Sequence, residues 1–91
     1  MNTAQTAQNP IRVIRRMLRM TQPMFATAIG RSSQSIVCYE ARPDQPHHVT
    51  PSPEAAFAIQ ELSKRHGLTI TLEQIYGRAP INAEALTEAA A

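Results

Sequence analysis

Apolar residues along this chain recur at intervals of three and four, the period of helices that bury one face. Ile11, Ile14 and Leu18, with Met17 beside them, form the first stripe, behind Pro10, which can open a helix at its first turn. Arg12, Arg16 and Arg19 fall on the other side of that helix. Phe25, Ala28 and Ile29 form the second stripe, after an N-cap signal at Thr21 and a proline, Pro23, in the first turn. Gly30 ends it, and Ser32 and Ser33 start a further helix at once, with Ile36 and Tyr39 spaced i, i+3 behind them. Ala26 is small where these two helices must approach each other.

Beyond Glu40 the period breaks. The stretch ARPDQPHHVTPSP holds four of the seven prolines and reads as a loop, longer than most connections in a helical domain. His47 and His48 read best as solvated loop residues, since adjacent histidines without acidic or Cys partners are weak metal ligands. Ser52, Pro53 and Glu54 mark another helix start. Ala55, Ala56, Ile59, Leu62 and Ser63 then give a narrow stripe, widened by Phe57 and Ala58. Lys64, Arg65 and His66 suit the negative end of that helix's dipole, and Gly67 closes it. Thr69, Ile70 and Thr71 are too few and too isolated for a sheet. Thr71 instead caps a short last helix, Leu72–Tyr76, whose Leu72, Ile75 and Tyr76 are expected to pack on the earlier helices. The expected architecture is all-α, five helices around one core in residues 10–77. Residues 1–9 are polar and without period, and are expected to be disordered. The Ala-rich tail, residues 78–91, leaves two readings open: disorder in the monomer, or a short helix at 82–90 that packs on a partner.

Charge sharpens this picture. The net charge is +2, but residues 1–42 carry six Arg against one acid, Glu40, while residues 43–91 carry three cations against six acids. A basic half of this kind is an electrostatic footprint for phosphate; the acidic half faces away from such a ligand or towards another protein. A lone Cys excludes an internal disulfide framework, and no Cys/His zinc spacing is present. No apolar run approaches the roughly 20 residues needed to span a bilayer. The N-terminus places no basic region before an apolar one, so no signal peptide is expected and a cytoplasmic location is. No paired carboxylates, Ser/His/Asp set or phosphate-cradling glycine loop is found, so neither an enzyme nor a cofactor is expected.

The 22 residues Thr21–Arg42 are the most specific stretch. Gln22, Ala26, Gly30, Ile36 and Glu40 stand at the spacing of the phage repressor/Cro (XRE-like) helix-turn-helix family, and the chain resembles that family from about Ile11 to Gly77. One position departs: Arg31 follows the turn glycine, where the family usually has a small residue. The resemblance implies a lambda-repressor-like domain whose second motif helix, about Ser33–Tyr39, enters the major groove of double-stranded DNA. It implies a phosphate contact for Gln22, and an ion pair between Arg15 and Glu40 that ties the first helix to the recognition helix. It also implies a homodimer on a near-palindromic operator.

On that helix Ile36 and Tyr39 point to the core, while Ser33, Gln34, Val37 and Cys38 point out. Gln34 is the best base reader, since its amide can bond bidentately to adenine. Ser33 and Ser35 can bond a base or a phosphate, and Val37 and Cys38 can meet a thymine methyl group; the serines also fit as plain helix caps. Arg31 and Arg42 flank the helix as phosphate contacts, and so can the Pro-rich loop. Arg12, Arg16 and Arg19 are either a solvated face or further phosphate contacts. The function expected is a sequence-specific transcriptional regulator. Two alternatives use the same fold: an antitoxin that represses its operon while its tail grips a toxin, or a DNA-recognition module of a phage assembly.

Overall fold

The computed structural model describes residues 9–81, and its five helices all begin in the same way. In each, a short polar side chain accepts a hydrogen bond from the backbone N–H three residues on, satisfying a donor the first turn would leave unpaired. The caps are Asn9 to Arg12 at 3.0 Å, Thr21 to Met24 at 3.3 Å, Ser32 to Ser35 at 3.1 Å, Ser52 to Ala55 at 3.2 Å and Thr71 to Gln74 at 3.1 Å. They open α1 (Pro10–Met17), α2 (Gln22–Ile29), α3 (Ser33–Glu40), α4 (Pro53–Arg65) and α5 (Leu72–Ile75). No strand is found among the described residues, and none of their helices is long and apolar enough to cross a membrane.

Four helices also end alike. After α2, α4 and α5 a glycine (Gly30, Gly67, Gly77) takes a left-handed conformation, and the next residue's N–H returns to a carbonyl of the last turn. For α2 these bonds run from Gly30 to Thr27 at 3.2 Å and from Arg31 to Ala26 at 2.8 Å. The end of α1 has the same pattern, Arg19 to Arg16 at 3.0 Å and Met20 to Arg15 at 3.2 Å, but its left-handed residue is Arg19, at φ 59°. Arg19 therefore does not extend the arginine face of α1; the helix ends at Met17 and the chain turns through Arg19 into α2. α3 ends instead in extended backbone at Ala41.

The core gathers side chains from every helix. Ile11 and Ile14 from α1, Phe25 from α2, Ile36 from α3, Ile59 from α4 and Ile75 from α5 are all essentially removed from solvent. Each such side chain contributes about 1.5–3 kcal/mol of burial free energy. Leu68 and Ile70, between α4 and α5, complete the cluster. α2 packs most extensively on α3, and α1 lies against both α3 and α5. Ser63 is fully buried within α4 and is satisfied by donating to the Ile59 carbonyl at 2.8 Å.

Several apolar residues lie elsewhere than their spacing suggests. Ala28 is exposed; Phe25, Ala26 and Ile29 form the buried face of α2. Phe57, 59% exposed, and Leu72, 44% exposed, stand outside the core. α4 rests on its neighbours through the buried strip of Ala55, Ala56, Ile59, Leu62 and Ser63, flanked by Ala58 against the core and by Gln60, whose amide donates to the Ile70 carbonyl at 3.0 Å. Asn9, assigned from the sequence to the disordered N-terminus, is ordered as the cap of α1, and its amide donates to the Tyr39 carbonyl at 2.9 Å. Residues 1–8 and 82–91, which hold the rest of that segment and most of the tail, lie outside the described residues.

Candidate nucleic-acid interface

α2 and α3 are separated by three residues, Gly30–Ser32, so the two helices are held at a fixed angle by one left-handed turn. That turn leaves α3 with one side against the core. Ile36 is fully buried and Tyr39 nearly so, while Ser33, Gln34 and Val37 are exposed on the opposite side. Eight residues make a helix about 12 Å long, which fits within a groove about 12 Å wide.

The open face is polar at its start and apolar further on. Gln34 Nε2 donates to the half-buried Cys38 Sγ at 3.7 Å, a weak sulfur contact that leaves the Gln34 carbonyl oxygen free. Ser35 is half-buried, and its hydroxyl shares a hydrogen bond with the Ser32 hydroxyl at 3.0 Å. Ser35 is thus engaged within the N-cap, whereas Ser33 presents its hydroxyl outward. Among the serines suggested by the sequence, Ser32 is the cap and Ser33 stands free of it.

Cations bracket the helix. Arg31, in the turn, has Glu54 at 3.8 Å, and Arg42, just past α3, has Asp44 at 3.5 Å. Arg42–Asp44 is exposed on both sides, while Arg31 is half-buried against an open Glu54 at long range. Ion pairs this long with an open partner are worth no more than about 1 kcal/mol, so either arginine can exchange its carboxylate for a phosphate at little cost.

Behind α3 lies its anchor. Glu40, the last residue of the helix, has a side chain only 2% exposed. Arg15 donates to it twice, from Nε at 2.6 Å and from Nη2 at 3.1 Å, in a fork that matches the carboxylate. Gln22 Nε2 donates at 3.2 Å and Arg12 Nε at 3.4 Å. Burial works to raise the Glu40 pKa, but the hydrogen bonds from Arg15 and Gln22, the Arg15 charge and the Arg12 contact outweigh it, holding the carboxyl below its usual range. Arg15 also donates to the Met20 carbonyl at 2.9 Å.

The structure therefore brings Arg15 and Glu40 together and adds two partners that sequence reasoning missed. Arg12 carried a signal, since it lies three residues before Arg15 and shares its helix face. Gln22 carried none, because its approach to Glu40 follows only from the packing of α2 on α3. One N–H of the Gln22 amide is used internally; the other N–H and the carbonyl oxygen remain for a ligand.

The loop after α3 is tied back rather than solvated throughout. Val49 N–H donates to the Cys38 carbonyl at 3.1 Å, and His48 Nδ1 donates to the Ala41 carbonyl at 3.0 Å. The tie makes His48 half-buried, in place of the solvated pair expected, and leaves His47 exposed. Tyr76 Oη anchors the far end of the loop on the Pro51 carbonyl at 3.1 Å. Among the described residues no group of three or more His, Cys, Asp and Glu is placed to hold a metal ion. No family model, no curated protein and no solved structure matches this chain.

Proposed function

We propose that the protein is a sequence-specific DNA-binding regulator of transcription, with α2, the three-residue turn and α3 acting as a helix-turn-helix of the repressor/Cro kind. The observation that carries this reading is the exposed row Ser33, Gln34 and Val37 on a helix whose other side is buried, with Arg31 and Arg42 at its two ends. In it α3 lies in the major groove, Gln34 bonds an adenine edge, Val37 meets a thymine methyl group, and Ser33 bonds a base or phosphate. Gln22, Arg31 and Arg42 hold the backbone and set the register. Three outward side chains on one short helix discriminate few base pairs. A homodimer on a near-palindromic operator doubles that number, with two copies of α3 in successive major grooves.

Selection of binding sites from random duplex DNA, at low and moderate salt, tests the proposal. The expected outcome is an inverted repeat with half-sites about 10 bp apart. Binding that is unselective at low salt and absent at moderate salt would refute specific readout and leave only electrostatic attraction to DNA.

A further inference from the structure

Between α1 and the loop after α3 lies an open concavity of about 1600 Å³. It is open to solvent along one side rather than enclosed. Its lining includes Gln22, Val37 and Arg42, which the DNA-binding reading places on the duplex, and also Arg12, Arg16 and Arg19. Arg16 and Arg19 have no carboxylate within ion-pair distance among the described residues, unlike Arg12, Arg15, Arg31 and Arg42.

Arg19 adds an independent observation. Among the described residues it is the one non-glycine at positive φ, in the same left-handed position that Gly30, Gly67 and Gly77 fill after the other helices. A side chain with a Cβ is disfavoured there, so glycine would make the more stable helix end. The strain falls on an exposed cation that lines a basic groove. A backbone outlier retained at such a place is an argument for a binding role.

Resting on the DNA-binding reading, we infer that Arg19, with Arg16 one turn before it, grips phosphates of the duplex read by α3, carrying the contact onto α1. Helix-end stability is given up for that contact.

The test uses the full chain, the duplex recovered by site selection and an unrelated duplex of equal length. Arg19→Gly should raise the melting temperature by about 4 °C. It should nonetheless weaken binding to both duplexes and make the log–log salt slope about 0.9 less negative. The affinity lost between 50 and 200 mM salt then shrinks about 3.5-fold. Arg19→Lys should keep the wild-type slope, and Arg16→Gln, on ordinary helical backbone, should change the slope with no gain in melting temperature. If Arg19→Gly stabilises the protein while affinity and slope stay as they were, Arg19 is a helix end only and the inference falls. If the wild-type protein binds neither duplex, the DNA-binding reading itself fails.

Discussion

Replacing Glu40 by Gln keeps the shape of the buried side chain and removes its charge. In the native protein one carboxylate oxygen takes Arg15 Nη2, Gln22 Nε2 and Arg12 Nε at 3.1, 3.2 and 3.4 Å, and the other takes Arg15 Nε at 2.6 Å. A glutamine can keep its oxygen at the first position only by turning its NH₂ towards Arg15 Nε, where two donors then face each other. Breaking a buried ion pair at one partner costs about 3–5 kcal/mol. Arg15 is 14% exposed and keeps the Met20 carbonyl, so the expected loss is lower, about 2–4 kcal/mol. Against a total stability of roughly 5–15 kcal/mol this is large, and it corresponds to a fall in melting temperature of roughly 8–30 °C. Thermal and urea unfolding followed by circular dichroism at pH 7 would measure it.

The pH dependence makes the argument sharper. The folded-state pKa of Glu40 lies below its ordinary 4.5, so folding binds the ionised form more tightly than the unfolded chain does. Its contribution is complete above about pH 4.5 and is lost as the pH falls through the lower folded value. The wild-type advantage over Glu40→Gln should therefore narrow as the pH drops from 7 towards 3. A difference under about 1 kcal/mol at pH 7, or one that stays constant across that range, would refute the account of Glu40 as a charged anchor.

Three further outcomes are expected. Gln34→Ala should cost about 1–3 kcal/mol at one base step and relax preference there, as read by binding to a panel of singly substituted sites; an unchanged preference removes Gln34 from the readout. Arg42→Ala should weaken binding to all sequences alike and make the salt slope about 0.9 less negative, and a sequence-selective loss would mean that Arg42 reads a base. Gly30→Ala should destabilise by about 1–2 kcal/mol through backbone strain alone, since a Cβ built at φ +74° meets nothing within 4 Å; a neutral substitution in urea unfolding would show that the turn relaxes.

Among the described residues, α2, α3 and α4 were located by cap residues and apolar spacing that agree, α1 by its spacing behind Pro10, and α5 by its cap Thr71 and stop Gly77. Periodicity could not say how far round a helix the contact extends. Phe57 on α4 and Leu72 on α5 are apolar by type yet exposed, because burial depends on whether a neighbour covers that side, and the buried strip of α4 runs through Ala55, Ala56, Ile59, Leu62 and Ser63. Arg19 was misplaced for a different reason: a left-handed helix end without glycine leaves no mark in the sequence. The outward row of α3 was legible because Ile36 and Tyr39 orient the helix by themselves. Ser35 was not, since its bond to Ser32 belongs to the cap geometry, and Gln22 was not, since its bond to Glu40 spans 18 residues.

The placement of these ties separates the residues that hold α3 from those on its exposed row. α3 has eight residues, too few to hold a helix in water without tertiary support. Its N-terminal end is held by the turn, through Arg31 N–H on the Ala26 carbonyl, and its C-terminal end by Glu40, on which donors from both α1 and α2 converge. Asn9 adds a bond from the start of α1 to the Tyr39 carbonyl. All of these constraints act on the ends or the buried side of the helix. Ser33, Gln34 and Val37 take no part in them, so those positions can change chemically while the helix keeps its pose. Such an arrangement lets one scaffold present different side chains at a constant angle, which is what the proposed groove-reading role would require of α3.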